Sequence, residues 1–354
     1  MNRTDHAGLR SRIDKALATF LGGQRALLVG IDPALAELSD ALEVFVLGRA
    51  KRLRPSFAYW GYRGAGGPDA DSVVAAVASL ELVQASALIH DDLIDRSDTR
   101  RGEPSVHRRF ETRHTAAGWR GGAAGFGDSA AVLLGDLAMV WSDEMLHTSG
   151  VGTPDLARAR VVFDEMRTEV TVGQYLDVLT QVTADTSVER ASKVARFKSA
   201  KYTVERPLLL GAALAGAPDP VRAAYSSFGL PLGEAFQLRD DVLGVFGDPV
   251  ETGKPAGDDL REGKRTYLVA AAFSALSAGD RATLDAGLGD QGLDDEGVAR
   301  LRALIRDSGA LAATERRIDE LMTASLAALA DAPIDETARR VLRELADAAI
   351  RRTV

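Results

Sequence analysis

Apolar side chains recur at intervals of three and four residues through most of this 354-residue chain. This spacing gathers them on one face of an α-helix, and the run from Leu80 to Ile94 is the clearest example. Similar stripes occupy residues 130–146, 156–180, 194–214 and 221–245, and residues 296–352 are rich in strong helix formers. Strand-like alternation of useful length is missing. Because helices bury such stripes against one another, we predict an all-α bundle of about a dozen helices.

Nothing in the sequence divides the chain into separate parts. We find no Pro/Ser-rich linker and no repeat at a solenoid period. We therefore predict a single domain over residues 1–354, with a motif-bearing core at about residues 48–266. Three glycine-rich segments interrupt the helical pattern and predict irregular loops: residues 114–129, 247–263 and 279–292.

Composition excludes several classes of protein. Cysteine is absent, which rules out disulfides, thiolate metal sites and a cysteine nucleophile. The formal net charge of −8 argues against a general nucleic-acid binder. We identify no apolar run near the ~18 residues of a membrane span and no apolar signal-peptide core in the polar first residues. These observations predict a cytoplasmic protein with no transmembrane segment.

The segment His90-Asp91-Asp92-Leu93-Ile94-Asp95 closes the most apolar of the predicted helices. In a helix, Asp91 and Asp95 share one face about 6 Å apart, whereas Asp92 points about 100° away. Carboxylates this close repel each other, and a hard cation such as Mg²⁺ turns the repulsion into attraction. A solvated acidic helix end is the alternative that this segment alone leaves open.

A second acidic segment, Gln237-Leu238-Arg239-Asp240-Asp241-Val242-Leu243-Gly244, ends another apolar helix. On separate helices of a bundle, two acidic segments can face each other across a cavity. Two such walls require cations and an anionic ligand between them, and Mg²⁺ takes its remaining ligands from water and substrate phosphates. A diphosphate held by several Mg²⁺ ions therefore fits the predicted site.

Basic residues cluster near both acidic segments. Arginine gives forked contacts to phosphate oxygens, and lysine gives a compact positive charge. Any one of these clusters, taken alone, is more typical of a solvated surface than of a binding site. The clusters are Lys51-Arg52-Leu53-Arg54-Pro55, Arg100-Arg101, Lys198-Ser199, Lys254 and residues 258–265.

Together these segments resemble the trans-isoprenyl diphosphate synthases, or polyprenyl synthetases, and most of all the bacterial geranylgeranyl diphosphate synthases. The resemblance rests on KRLRP, DDLIDRSDTRRG, GQYLD, FQLRDD and GKPAGDDLREGKRT, in this order. It implies a homodimeric all-α fold of the isoprenoid synthase type with a central cavity. It also implies isopentenyl diphosphate and an allylic diphosphate as substrates, and three Mg²⁺ ions per active site, with Mn²⁺ as a substitute.

The resemblance extends to individual residues. Asp91 and Asp95 correspond to ligands of two Mg²⁺ ions, and Asp240, assisted by Asp241, to the ligand of a third. The isopentenyl diphosphate site corresponds to Lys51, Arg54 and Arg101. The allylic diphosphate site corresponds to Arg100, Lys198, Ser199, Gln237 and Lys254. Gln84 and Lys264 complete the substrate-binding set, and the catalytic set comprises Asp91, Asp92, Asp95, Asp240, Asp241, Lys198 and Lys254.

Three positions depart from the family pattern. The second Asp-rich segment usually ends in Asp, whereas this chain has Gly244, which leaves one carboxylate fewer for the third metal ion. Gln84 stands where His is frequent and can still donate through its amide. Ser199 replaces a common Thr and keeps the hydroxyl. The sequence predicts a small effect of Gly244→Asp on the rate, since Asp240 corresponds to the direct ligand.

Two other functions share part of this pattern. A class I terpene cyclase has the first acidic helix, but it normally carries an Asn/Ser/Glu triad in place of the second segment and needs no second diphosphate site. A non-catalytic subunit that modifies an active partner usually lacks one acidic segment. The pair Asp240 and Asp241 and the basic cluster at Lys51 favour a prenyl diphosphate synthase. In such enzymes an allylic diphosphate ionises, and the double bond of isopentenyl diphosphate attacks the cation.

Residues just before the first acidic segment bear on product length. In the family, the growing chain follows this helix away from the diphosphate, and large aromatic residues four or five positions before the first Asp stop it early. Here these positions are Ala87 and Ser86, and one helical turn of about 5.4 Å is close to one isoprene unit. With Leu82 and Val83 as a partial floor, we predict a twenty-carbon geranylgeranyl product, with farnesyl or longer products as alternatives.

Overall fold

Helices form most of the structure, a computed structural model that describes residues 3–48, 50–248 and 257–350. The first half comprises α1 (Arg3–Ile31), α2 (Ala36–Leu47), α3 (Leu53–Gly64), α4 (Asp71–Ile94), α5 (Val106–Ala117), α6 (Ala123–His147) and α7 (Thr153–Val182). The second half comprises α8 (Val188–Val194), a π-helix (Ala195–Glu205), α9 (Arg206–Leu214), α10 (Asp219–Phe246), α11 (Asp258–Arg261), α12 (Tyr267–Ala275), α13 (Ala278–Gly287), α14 (Asp295–Asp307), α15 (Ala310–Ala330) and α16 (Glu336–Ile350).

Strand structure is confined to one small hairpin in the part of the chain that the structure describes. Its strands are β1 (Thr99–Arg100) and β2 (Glu103–Pro104), which pair antiparallel directly after α4. A short 3-10 helix (Pro33–Leu35) joins α1 to α2. The all-α prediction is therefore confirmed, and the hairpin places Arg100 and Arg101 beside the end of α4.

The central helix of the bundle is α4, and its sequence explains this position. Val77, Leu80, Leu82 and Val83 are completely buried, although they point to different sides of the helix. A helix that is apolar all round is stable only when other elements surround it, and α1, α3 and α6 pack against α4. Burial of each such large side chain contributes about 1.5–3 kcal/mol. The C-terminal half of α4, which ends in the first acidic segment, lines a cavity.

A second, smaller hydrophobic cluster lies beside the end of α10. Val242 of α10 packs there with Leu260 of α11 and Leu301 of α14. The same helix joins the main core through Phe228 and Leu232. Because α10 belongs to both clusters, the short helix α11 is held close to the second acidic segment.

The glycine-rich segment 114–129 is mostly helical, so the prediction of a loop there is wrong. Only residues 118–122, between α5 and α6, are irregular. Packing explains the glycine at 127: a Cβ at this position would overlap the carbonyl oxygen of His107 and lie 3.1 Å from the amide nitrogen of Glu111. Gly127 thus allows α5 and α6 to approach to backbone contact.

The other two loop predictions are wrong in part. Helix α13 occupies most of residues 279–292, because the Ser277 side chain caps it by accepting a hydrogen bond from the Asp280 amide. Helix α11 lies within residues 247–263, of which residues 249–256 lie outside the described part of the chain.

Among the described residues, two helices are long and apolar enough by length and composition to cross a membrane, whereas the sequence predicts no apolar run near that length. In α4 the relevant window has a mean hydropathy of 1.8, and 72% of it is buried inside the bundle. In α6 the mean hydropathy is 1.4, and only 33% is buried. The central position of α4 accounts for its composition, whereas much of the apolar surface of α6 remains exposed.

Candidate active site

Both acidic segments face one cavity of about 1720 Å³. Asp91 lines it from α4, Asp240 and Asp241 from α10, and Asp258 and Asp259 from α11. Other predicted site residues in the lining are Lys51, Arg54, Gln84, Arg100, Arg101, Lys198, Ser199, Gln237 and Lys264. Lys254, which the sequence assigns to the allylic diphosphate site, lies outside the described residues. The fold thus brings together side chains that are widely separated along the sequence.

Side chains from α7 and the π-helix hold the carboxylate of Asp91. Lys198 Nζ lies 3.2 Å from Asp91 Oδ1 and 2.6 Å from Asp177 Oδ2. Gln174 Nε2 donates a hydrogen bond of 2.9 Å to Asp91 Oδ1. Gln174 and Asp177 both belong to GQYLD, and neither of them is among the predicted site residues. Their three-residue spacing on a predicted helix is the signal that could have placed them on one face.

A second lysine connects the two acidic walls. Lys264 Nζ lies 3.0 Å from Asp95 Oδ2 and 3.8 Å from Asp259 Oδ1. Asp95 is not in the cavity lining, and its side chain is buried against this lysine. In the described part of the chain, no three acidic or histidine side chains already surround a single point. Two ammonium groups stand beside the carboxylates instead.

The pKa values of the acidic residues reflect burial and these lysines. Burial opposes the charge of Asp91, but Lys198 and Lys264 outweigh it and hold the pKa below its ordinary value. Burial raises the pKa of Asp95 to about 6, against the effect of Lys264. Burial also raises the pKa of Asp241 to about 8. A cation that entered the cavity would favour the ionised form of each carboxyl group.

Asp92 is turned away from the cavity, as its position on the helix predicts. Its buried carboxylate accepts hydrogen bonds from Arg100, with 2.9 Å between Nε and Asp92 Oδ1. This contact holds Arg100 Nη2 at 3.7 Å from Asp91 Oδ2. Asp92, predicted as part of the catalytic set, therefore orients an arginine at the cavity wall.

The segment at residues 51–55 divides its cations between two positions. Arg52 has a left-handed backbone conformation (φ 54°, ψ 38°) and precedes the first turn of α3. Its side chain turns inward, where Nη1 donates to Glu81 Oε2 at 2.6 Å and Nε donates to Asp14 Oδ1 at 2.8 Å. Lys51, Arg52 and Arg54 all belong to the cavity lining, but the guanidinium of Arg52 is already paired with these two carboxylates. This backbone conformation costs roughly 1–2 kcal/mol.

Two further arginines complete this basic wall. Arg54 Nη2 donates to Thr203 Oγ1 at 2.8 Å, and its guanidinium carbon lies 4.3 Å from the ring centre of Tyr202. Arg101 is left-handed (φ 57°) at the turn of the β1–β2 hairpin, and burial lowers its pKa. A cation that is partly withdrawn from water gains from pairing with an anion such as a phosphate group.

Polar contacts at the end of α10 fix the second acidic segment. Gln237 Nε2 donates to Asp241 Oδ1 at 2.7 Å. Arg239 forms an ion pair of 2.6 Å with Glu315 of α15. Asp240, which lies between Arg239 and Asp241 in the sequence, lines the cavity. The side chains on either side of Asp240 thus hold its turn of helix in place.

Lys198 and Ser199 lie on a π-helix that is packed unusually close to its neighbours. A Cβ at Gly173 of α7 would lie 2.5 Å from the Lys198 nitrogen and 2.8 Å from its Cα. A Cβ at Gly233 of α10 would overlap the carbonyl oxygen of Ala200. Backbone contacts on two sides therefore set the position from which Lys198 reaches Asp91.

The residues of the cavity are chemically suited to Mg²⁺. Asp91, Asp240 and Asp241 offer only carboxylate oxygens, the donors that this ion prefers. The ammonium groups of Lys198 and Lys264 lie beside Asp91 and Asp95, so positive charge is already favourable at these carboxylates. The second acidic segment ends in Gly244, as the sequence shows, with Asp259 beside it.

The chain is similar to known proteins over most of its length. The polyprenyl synthetase family model matches residues 35–305. A geranylfarnesyl diphosphate synthase of Aeropyrum pernix is 32% identical over 320 residues, which are 89% of this chain and 94% of that protein. A geranylgeranyl diphosphate synthase of Mycobacterium tuberculosis is 32% identical over 286 residues, 80% of this chain and 75% of that protein.

Among solved structures, the chain is similar to a geranylgeranyl pyrophosphate synthase from Corynebacterium glutamicum, which was crystallised with isoprenyl diphosphate and magnesium. The TM-score is 0.94 and the sequence identity 43%, and the match covers 98% of this chain and 99% of that one.

Proposed function

The chain belongs to the polyprenyl synthetase family and is a prenyltransferase, and on this premise we propose that it condenses isopentenyl diphosphate with an allylic diphosphate to give geranylgeranyl diphosphate. The observation that carries the proposal is a single cavity with acidic walls at Asp91 and Asp240 and a separate basic wall at Lys51, Arg54 and Arg101. This basic wall and the cations beside the acidic walls, Arg100 and Lys198, provide two basic regions that suit two diphosphates. A terpene cyclase does not need a second diphosphate site.

The side chains have distinct tasks in this proposal. Asp91, Asp95, Asp240 and Asp241 would hold Mg²⁺, three ions per site, with Mn²⁺ as a substitute. When bound, the ions neutralise the charge that develops on the departing diphosphate. Lys198 and the predicted residues Arg100, Ser199, Gln237 and Lys254 would bind the allylic diphosphate. The basic wall, with Gln84, would orient isopentenyl diphosphate so that its double bond faces the allylic carbon.

No protein nucleophile is required by this reaction. The allylic cation needs an apolar surrounding that excludes water, and Ala87, Leu88, Met139 and Val178 line the cavity. After the carbon–carbon bond forms, a proton leaves the new cation, and the departed diphosphate can accept it. Lys264, between Asp95 and Asp259, contributes positive charge on the diphosphate side.

Product length follows from the space beside α4. Ala87 and Ser86 line the cavity one turn before Asp91. Leu82 and Val83 are fully buried and do not line it, which argues against the partial floor that the sequence predicts. Met139 of α6 lines the cavity instead. Small side chains at 86 and 87 leave room for roughly one isoprene unit more than an aromatic pair, which supports a twenty-carbon product.

Ala87→Phe is expected to shift the products from twenty carbons towards fifteen or ten, because the ring would fill the space beside the growing chain. The measurement is chromatographic sizing of products made from labelled isopentenyl diphosphate. Ala87→Ser, which adds a single oxygen, is the matched control and should leave the length unchanged. An unaltered product from Ala87→Phe would show that the chain grows along another wall.

The activity itself is tested by incubating the purified protein with labelled isopentenyl diphosphate and each allylic primer in turn. Elongation to twenty carbons supports the proposal, and a twenty-five-carbon product would match the name of the Aeropyrum pernix relative. A cyclic hydrocarbon would indicate a terpene cyclase. Failure to elongate any primer without a second protein would indicate a non-catalytic subunit.

The exposed apolar face of α6 supports a homodimer. Val132, Leu133 and Val140 are each more than 40% exposed on this helix. On the neighbouring α7, which α6 meets through the Arg167–Asp143 ion pair, Val172 is also exposed. Large apolar side chains that a single chain leaves exposed in such numbers are typical of a protein interface. A second copy of the chain would bury them by pairing the same surface on both subunits.

Leu133→Glu is expected to convert the dimer to monomer at micromolar concentration, since it would bury two unpaired carboxylates across the two-fold axis. Sedimentation velocity measures the change. Ala282→Glu on the exposed side of α13 adds the same charge away from the patch and should leave the dimer intact. If wild-type protein sediments as a monomer, the proposed interface is wrong.

We also propose that the chain forms a single domain, since α10 takes part in both hydrophobic clusters. The cytoplasmic location stays a prediction from the sequence.

A further inference from the structure

The second acidic segment ends at Gly244, and the space beside this glycine is already filled. A Cβ added to Gly244 would overlap the carboxylate of Asp259, with Oδ2 as the nearest atom and Oδ1 at 3.0 Å. The carboxylate of a residue 15 positions later in the sequence therefore occupies the volume into which a side chain at 244 would extend.

Several contacts hold the short helix that carries Asp259. Gly257, just before α11, is left-handed (φ 73°), and a Cβ there would lie 2.5 Å from Val298 Cγ1. Leu260 is fully buried in the second hydrophobic cluster, and its carbonyl accepts a hydrogen bond of 2.9 Å from the Gly289 amide. Arg261 Nε donates to the carbonyl of Leu293 at 2.9 Å. These contacts hold one side of α11 while Asp259 lines the cavity.

The charges around Asp259 connect it to both acidic segments. Asp240 and Asp241 line the same cavity from the last turns of α10, immediately before Gly244. On the other side, Lys264 Nζ is 3.8 Å from Asp259 Oδ1 and 3.0 Å from Asp95 Oδ2. One lysine thus balances a carboxylate from the first acidic segment and the carboxylate that stands beside Gly244.

We propose that Asp259 provides the metal site with the carboxylate that the second acidic segment lacks at Gly244. It is a positioning residue for the ion assigned to Asp240, and the inference rests on the function proposed above. A carboxylate oxygen there can bind the ion or accept a hydrogen bond from one of its water ligands. Glycine at 244 and aspartate at 259 then form a matched pair: the small residue leaves the space that the acidic side chain fills.

The test measures metal binding apart from turnover. Mn²⁺ is titrated into the full-length protein with inorganic pyrophosphate present, and free Mn²⁺ is followed by electron paramagnetic resonance. Asp259→Asn is expected to raise the dissociation constant of the most weakly bound Mn²⁺ by about 10–100-fold. This is the usual effect of losing a residue that holds a metal ligand in place. Asp295→Asn, which removes an exposed carboxylate that contacts Arg261 of α11, is the control and should leave Mn²⁺ binding unchanged.

A double variant gives the sharper result. Gly244→Asp alone places a second side chain into the volume of the Asp259 carboxylate and is expected to weaken Mn²⁺ binding. This differs from the small effect on the rate that the sequence predicts. Gly244→Asp combined with Asp259→Ala moves the carboxylate to the other side of the same space and is expected to recover most of the lost affinity. A residue that served only the packing of α11 would show no such recovery.

Two outcomes would overturn the inference: wild-type Mn²⁺ affinity in Asp259→Asn, or a double variant no better than Asp259→Ala alone. Thermal unfolding of each variant shows whether it is folded. Failure of the proposed function looks different, because wild-type protein would then bind no Mn²⁺ in a pyrophosphate-dependent manner, and Asp91→Ala would change nothing.

Discussion

Replacing Asp91 or Asp240 with alanine is expected to lower kcat/KM by about 10³-fold while the helical content stays the same. Each variant removes a carboxylate from a different acidic wall, and the reaction depends on charge stabilisation at the departing diphosphate. Asp91 also accepts from Gln174 and pairs with Lys198, so its loss leaves a buried cation with one partner fewer. Steady-state turnover with labelled isopentenyl diphosphate, together with circular dichroism, measures both quantities.

Asp98→Ala is the matched control for these variants. Asp98 lies three residues after Asp95, but its side chain is exposed and pairs with Arg108 at 2.6 Å, away from the cavity. Its loss should cost at most about 1 kcal/mol of stability and leave turnover unchanged. Near-normal turnover in Asp91→Ala or Asp240→Ala would contradict the assignment of the acidic walls.

Gly173→Ala is expected to lower kcat/KM by about 10²-fold, although Gly173 is not in the cavity lining. The added methyl group would lie 2.5 Å from the Lys198 nitrogen, so the π-helix must shift. A displacement of about 1 Å at a binding group is enough for such a loss. The same overpacking should lower the free energy of unfolding by about 1–3 kcal/mol, as measured by urea denaturation.

Gly22→Ala separates this packing effect from the general effect of replacing a helical glycine. A Cβ at Gly22 of α1 meets no atom within 4 Å, so alanine there should raise the free energy of unfolding by about 0.5–1 kcal/mol without changing turnover. If Gly173→Ala loses stability but keeps its kcat/KM, the close contact does not position Lys198.

Helical spacing predicts the two acidic segments of the cavity, because it converts directly into helix faces, whereas the roles of the basic residues follow from the family resemblance. The apolar stripe of α4 predicted its buried position, and the two acidic segments at helix ends predicted a shared cavity. The rotation of Asp92 away from Asp91 also follows from 100° per residue. These inferences need only local geometry.

Other contacts depend on tertiary structure that spacing does not contain. In KRLRP, Arg52 is indistinguishable from the other cations. Only the structure shows its left-handed backbone and the hydrogen bond that its side chain donates to Glu81. The contact between Lys264 and Asp95 joins segments that are far apart in the sequence. The partnership of Gly244 and Asp259 depends on where α11 packs, which no local pattern determines.

The glycine-rich segment at residues 114–129 is mostly helical where the sequence predicts a loop, and the reason is physical. A glycine-rich segment predicts an irregular loop, because glycine lowers helix stability by about 1 kcal/mol relative to alanine. At Gly127 the close crossing of α5 and α6 offsets that cost, and the helix continues. Glycines at helix crossings and glycines in loops have the same local signature.

The lysines beside Asp91 and Asp95 have a consequence for how the protein folds and then binds its metal ions. Many small metal-binding domains are unfolded until the ion arrives, because the free energy of metal binding provides their free energy of folding. Here the first acidic segment has ammonium partners before any ion is bound, Lys198 beside Asp91 and Lys264 beside Asp95. We therefore expect the chain to fold without metal, so that a chelator abolishes turnover and leaves the melting temperature almost unchanged.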